Sequence, residues 1–92
     1  MINVYINNEL HTFDTATSAM IRAWVAMWLK NEGRTPSLGF YTSDGARRVF
    51  LNDERPDSRR IFAEVQDDAT RQVVGGQYFS GESFAQLLEA AA

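Results

Sequence analysis

The chain opens with INVYI-NN-ELHTF, two alternating runs rich in β-branched and aromatic residues on either side of Asn7-Asn8. Alternation at every second position marks a half-buried strand, and asparagine tolerates the positive φ of a two-residue hairpin turn. Pairing across that turn sets Ile2 opposite Phe13 and Val4 opposite His11, on one face. The period then changes. From Asp14 or Thr15, either of which can cap a helix, to about Asn31, residues Met20, Ile21, Trp24, Val25, Met27 and Trp28 cover half of a helical circumference. Ala19, Ala23, Ala26 and Lys30 fall on the other half, and Gly33 offers a stop. This long helix is expected to carry the main core face. Each of its large apolar side chains is worth about 2 kcal/mol on burial before entropy is counted.

Period two returns after the loop GRTPS. In LGFYT-S-DG-A-RRVFL, Asp44-Gly45 between apolar runs is a strong hairpin signal. Counting outward from it pairs Tyr41 with Arg48, Phe40 with Val49, Gly39 with Phe50 and Leu38 with Leu51. Leu38, Phe40, Val49 and Leu51 then point into a core, and Tyr41, Arg48 and Phe50 point away from it. A third hairpin is expected in RRIFAEVQ-DDAT-RQVVGGQYF, turning over Asp67 to Thr70. With Gln66 opposite Arg71, Phe62 faces Gly75 and Ala63 faces Val74. Ile61, Ala63, Val65 and Val74 become its inner side, and Phe62, Glu64 and Val73 its outer side. Ser80 can cap a short closing helix, SGESFAQLLEAAA, whose Phe84, Leu87, Leu88 and Ala91 recur at helical spacing. The element order is ββαββββα. It predicts one α+β domain over residues 1–92, with a mostly antiparallel sheet, one long helix and one short helix.

Composition narrows the function classes. With 92 residues, a hydrophobic fraction of 45% and no cysteine, the chain is expected to be a single globular domain of a reducing compartment, the cytoplasm. MINVYINNEL lacks the basic and apolar regions of a secretory signal, and AWVAMWL is too short to span a membrane. The net charge of −3 disfavours general binding to a nucleic-acid backbone. Of the nine basic residues only Lys30 is lysine. Arginine is the cation of interfaces, because its planar fork pairs with carboxylate or phosphate and stacks on rings.

Catalytic chemistry finds little footing. His11 is the only histidine, and its register places it beside Ile2 and Val4 as a structural side chain. No cysteine can act as nucleophile, and no G-x-S-x-G surrounds a serine. Gly75-Gly76 follows a strand-like run, but neither a helix nor a lysine comes after it, unlike a phosphate-cradling loop. Asp53, Glu54 and Asp57 could form an acid/base or metal cluster, yet they share LNDERPDSRR with Arg55, Arg59 and Arg60, which would neutralise them. The expectation is a non-enzyme with no metal, cofactor or small-molecule substrate.

Two resemblances add to this. INVYINNELHTFDTATSAMIRAWVAMWL looks like the start of a ubiquitin-like sulfur carrier: strand, tight turn, strand, helix. Such carriers end in a reactive Gly-Gly, whereas here the pair is internal and the chain ends in AAA, so the resemblance implies a β-grasp layout without the carrier chemistry. In size, mild acidity, lack of cysteine and the ending VVGGQYFSGESFAQLLEAAA, the chain resembles small phage-encoded anti-CRISPR proteins. That resemblance implies an inhibitor acting in the host cytoplasm, which blocks a CRISPR surveillance complex by occupying a surface near its guide RNA or DNA-binding groove.

The residues support a binding role independently. Tyr41, Arg48, Phe50 and Phe62 are expected on the sheet face away from the long helix, with Phe50 and Phe62 each across from a glycine that lets the ring lie flat. Exposed aromatic and arginine clusters mark binding faces. The connection 52–60 is long, polar and stiffened by Pro56, and connections of that kind are often functional. Its Arg55, Arg59 and Arg60 could pair with a partner's phosphates or acids while Asp53, Glu54 and Asp57 meet its basic side. The expected partner is thus a protein or ribonucleoprotein complex. The alternative is a small single-stranded nucleic-acid-binding protein that stacks bases on Tyr41, Phe50 and Phe62.

Overall fold

The computed structural model describes residues 1–90. Strands β1 (Ile2–Ile6) and β2 (Glu9–Phe13) form a hairpin, followed by helix α1 (Thr15–Lys30). Strands β3 (Leu38–Tyr41), β4 (Arg47–Asp53), β5 (Arg60–Asp67) and β6 (Val73–Ser80) form a second, four-stranded antiparallel sheet in chain order, closed by helix α2 (Gly81–Ala90). The order is ββαββββα in an α+β fold, with two sheets where the sequence suggested one.

Local chemistry accounts for the junctions. Asn7 and Asn8 both take positive φ, as the two-residue turn requires, and Ile2 faces Phe13 while Val4 faces His11. Asp14 caps α1: its carboxylate accepts from the Thr17 backbone N–H at 2.8 Å. The helix ends at Asn31 in extended conformation, whose N–H still reaches the Met27 carbonyl. Gly33 therefore has no part in stopping it. Gly45 takes φ +73° in the β3–β4 turn, and that hairpin has the expected register, Leu38 with Leu51 through Tyr41 with Arg48. Ser80 caps α2 by accepting from the Ser83 N–H at 3.1 Å.

One face of the four-stranded sheet is covered in two parts. Near the β3–β4 turn lies the β1–β2 hairpin. The Ser43 N–H donates to Thr12 O at 2.8 Å, Phe13 meets Phe40 edge-on at 5.2 Å, and the Asn7 N–H reaches Gln77 Oε1 at 2.8 Å. Over the rest lie the helices, tied together where Arg22 donates to Leu88 O at 3.1 Å. Between the layers sit Ile2, Val4, Ile6, Phe13, Ile21, Trp24, Val25, Trp28, Phe40, Val49, Leu51, Ile61, Ala63, Val65, Phe84 and Leu88, all buried.

Three expectations change. Met20 and Met27 are not core residues but each about half exposed (46%). The buried side of α1 is centred on Ile21, Trp24, Val25 and Trp28, and at about 100° per residue both methionines lie far from that centre. The β5–β6 register differs as well. The turn closes between Asp67 and Gln72, with Arg71 at φ 62° and the Asp67 carboxylate accepting from the Thr70 N–H. An irregularity at Val65/Gln66 then adds a further offset. Phe62 thus faces Tyr78 instead of Gly75, and Ala63 faces Gln77 instead of Val74. Val74 is consequently exposed and not part of the inner face, because an odd shift exchanges the two sides of a strand. Ala91, expected in the stripe of the last helix, lies outside the described residues.

Candidate functional site

The opposite face of the four-stranded sheet is left open. Its side chains follow from alternation: Tyr41 on β3, Arg48, Phe50 and Asn52 on β4, Arg60, Phe62, Glu64 and Gln66 on β5, and Tyr78 on β6. No helix or hairpin among the described residues packs on this side, so the central residues are half-buried only by their neighbours and Tyr41 and Tyr78 stand about half exposed. Those neighbours form two clusters. The Arg48 guanidinium lies 5.6 Å from the Tyr41 ring centre and 5.2 Å from that of Phe50. Phe62 meets Tyr78 at 4.7 Å, and Arg60 lies 4.4 Å over the Tyr78 ring.

Two glycines set the height of this surface. A Cβ on Gly39 would stand 2.8 Å from the Phe50 ring, and a Cβ on Gly76 would stand 2.6 Å from the Phe62 ring. Both rings therefore occupy space over the bare backbone of a neighbouring strand that any side chain there would take. The expected partner of Phe62 was Gly75; the register places the ring over Gly76 instead. Tyr78 was missed by the sequence reading for the same reason, since its place beside Phe62 depends on the β5–β6 offset. Neither Arg48 nor Arg60 forms a salt bridge among the described residues, and the only acid of the face is Glu64, held by Gln66 at 2.9 Å. The face is thus aromatic with two available guanidiniums.

The connection 52–60 has a different role for several of its charges. Asp53, at the end of β4, is fully buried and Arg55 nearly so. Arg55 donates to both Asp53 oxygens, at 2.7 Å from Nη2 to Oδ2, and also to Thr35 Oγ1 and Asn31 O. The Thr35 N–H donates to Asp53 at 2.7 Å. Burial alone would raise the pKa of Asp53. The Arg55 guanidinium, the backbone N–H groups of Thr35 and Arg55 and the nearby Trp28 indole outweigh it, and the carboxyl stays ionised far below the usual carboxylate range. Arg55 and Arg59 each stack on Trp28, at 4.3 Å and 4.9 Å. Arg59 is also paired with Glu82 on α2 at 2.8 Å, and it lowers the pKa of that carboxyl. The loop is therefore a strap that fastens both helices to the sheet. Of the residues expected at a partner contact, Asp53 and Arg55 have no surface to present. Arg59, Glu54 and Asp57 lie on the strap, and Arg60 belongs to the open face with Tyr41, Arg48, Phe50 and Phe62.

Elsewhere, a cleft of about 240 Å³ is lined by residues including Glu9, His11, Thr42, Asp44 and Arg47. His11 is buried there with Nε2 unpartnered, and its pKa is lowered, first by burial. The Thr42 hydroxyl donates to Asp44 at 2.7 Å, so histidine and hydroxyl are not joined as base and nucleophile. No group of three or more potential metal ligands occurs among the described residues, and no described helix is long and apolar enough to cross a membrane. No protein-family model, curated protein or solved structure matches this chain.

Proposed function

We propose that this chain is a non-enzymatic binding protein, an inhibitor or adaptor that sets the open face of its four-stranded sheet against a protein or nucleoprotein complex and acts by occupying that surface. The observation that carries this reading is the uncovered cluster of Tyr41, Arg48, Phe50, Arg60, Phe62 and Tyr78 on one face of the four-stranded sheet. Tyrosine, phenylalanine and arginine are enriched in interfaces, and tyrosine and arginine among the residues that carry most of their energy. Stacking on rings leaves each guanidinium pre-positioned, with donors free for a partner's carboxylates or phosphates. The form implied by the anti-CRISPR resemblance has this face cover guide RNA or the nucleic-acid groove of a surveillance complex. Co-sedimentation or pull-down with a purified CRISPR surveillance complex tests it. Binding by the wild-type chain that is lost in Arg48→Glu/Phe62→Ala supports the reading, and absence of wild-type binding removes the anti-CRISPR form.

A second reading draws on the rings of Phe50 and Phe62 seated beside Gly39 and Gly76, with Tyr41 and the arginines next to them. Aromatic rings beside arginines are also what single-stranded nucleic acid uses, stacking bases on the rings. It predicts affinity for free oligonucleotides that falls steeply with salt. The net charge of −3 counts against it, and a titration showing no binding at low salt ends it.

A further inference from the structure

Three charges stand in a fixed order along the open face. Arg48 on β4 lies level with Gln66 of β5. Glu64 lies two residues away along β5, level with Phe50, and Arg60 lies at the start of that strand. At about 3.3 Å per residue, Glu64 is roughly 7 Å and Arg60 roughly 20 Å from the level of Arg48. Phe50, Phe62 and Tyr78 fill the interval between the arginines. We infer that this face docks a partner helix laid along β4 and β5. That helix carries a carboxylate at each end of an apolar stripe and a basic side chain one turn inside one of them. The inference rests on the open face being the binding surface, and it commits that surface to protein over nucleic acid.

The three charges are not spent within the chain. Neither arginine forms a salt bridge among the described residues. Arg48 is held by the rings of Tyr41 and Phe50. Arg60 is held over Tyr78, and only its Nε donates, to Ser58 Oγ at 3.1 Å. Each guanidinium is thus oriented and keeps donors for a carboxylate. Glu64 gives one oxygen to Gln66 at 2.9 Å, which leaves the other to a partner's ammonium or guanidinium.

The middle carboxylate decides between the two kinds of partner. A nucleic-acid strand has one phosphate for about every 3.4 Å of duplex axis, so roughly 20 Å of it would bring about six phosphates to two arginines. One of them would fall on Glu64. A helix meets the pattern with three side chains. At 1.5 Å and 100° per residue, acids at positions i and i+14 and a lysine at i+4 share a sector of about 80°, and they stand at 0, about 6 and about 21 Å along the axis. The width fits as well. Strands β3 and β6 are three strand spacings apart, about 14 Å, and their half-exposed Tyr41 and Tyr78 border a lane over β4 and β5. A helix of about 10–12 Å diameter fills that lane, as α1 and α2 cover the other face of the same sheet.

Two alanine-based helical peptides and a single-stranded oligothymidylate, titrated into the intact chain, test this. One peptide carries a Leu/Phe stripe with Glu at i and i+14 and Lys at i+4; in the other the three charges are reversed. Amide chemical shifts report the binding. The first peptide is expected to shift residues of β4 and β5 and to bind at least tenfold tighter than the second. Arg48→Glu/Arg60→Glu should invert that preference. Glu64→Lys should admit oligothymidylate at low salt, where the wild-type chain does not bind it. Circular dichroism of each variant confirms that the fold is kept. Equal affinity for the two peptides, no shift from either at millimolar concentration, or oligothymidylate bound to the wild-type face overturns the inference. Silent peptides beside a surveillance complex that Arg48→Glu/Phe62→Ala no longer binds would remove this inference and leave the open-face reading standing. A complex bound equally by wild type and that variant would remove both.

Discussion

The Trp28 indole lies directly on the backbone of Gly81: a Cβ placed on that glycine would come within 1.8 Å of the ring. The contact joins the last turn of α1 to the first residue of α2. Gly81→Ala should therefore lose at least about 2–3 kcal/mol of stability, since fully buried Trp28 has no room to move. Urea denaturation measures it. A loss under 1 kcal/mol would mean that the helices are not held where described.

Asp53 and Arg55 are one buried unit, and removing either leaves an unpaired charge. Arg55→Met and Asp53→Asn should each cost about 3–5 kcal/mol. Arg59→Ala, at an exposed ion pair, should lose only the stacking of its stem on Trp28 and much less stability. Equal losses at Arg55 and Arg59, compared by denaturant midpoint, would contradict the strap.

Acid should weaken the fold in two steps. His11 is held below its ordinary 6.5, so between the two values the unfolded chain binds more protons. Its share of stability is complete above about pH 6.5 and declines as the pH falls through the lowered value. Asp53 acts lower. Its folded pKa is far below 3.8, so its share is complete above about pH 4 and is lost as the pH falls toward the folded value. Stability measured from pH 7 to 2 should lose its first step in His11→Gln and show a shallower second step in Asp53→Asn, where Asp14, Asp44, Asp67 and Glu82, also lowered, still titrate. A profile of His11→Gln identical to wild type above pH 4 would show that the imidazole is not desolvated.

On the open face, Phe62 and Tyr78 form one cluster and Arg48 bridges Tyr41 and Phe50. Arg48→Ala and Phe62→Ala should each reduce partner affinity by about 2 kcal/mol or more, as central interface residues do. Both should retain a cooperative unfolding transition. Isothermal titration with the captured partner separates that outcome from unfolding, and unaltered affinity in both variants would clear the face of a role.

Much of the fold was legible because turn chemistry is local. Asn7-Asn8 and Asp44-Gly45 each force a turn type, and a fixed turn fixes the register, so two hairpins and the inward sides of β1 to β4 follow by counting. The third hairpin was not legible. Its turn depends on Arg71 adopting a left-handed conformation and on an irregularity at Val65/Gln66, which no residue type announces, and Tyr78 was lost with it. The strap failed differently. Six charges in a loop read alike whether they face water or each other, and it is Trp28, Thr35 and Asn31, distant in sequence, that turn Asp53 and Arg55 inward and leave Arg59 at the surface. The methionines of α1 were assigned to the core because they are apolar, while the core accepts only the face that the two sheets leave for it.

The most direct measurement is the affinity of two variants for a purified CRISPR surveillance complex, set beside wild type: Arg48→Glu/Phe62→Ala on the open face, and Glu54→Lys/Asp57→Lys on the strap. A face that does the binding predicts at least thirtyfold weaker association for the first pair and near wild-type association for the second. Strong binding by the face variant together with loss in the strap variant would contradict it.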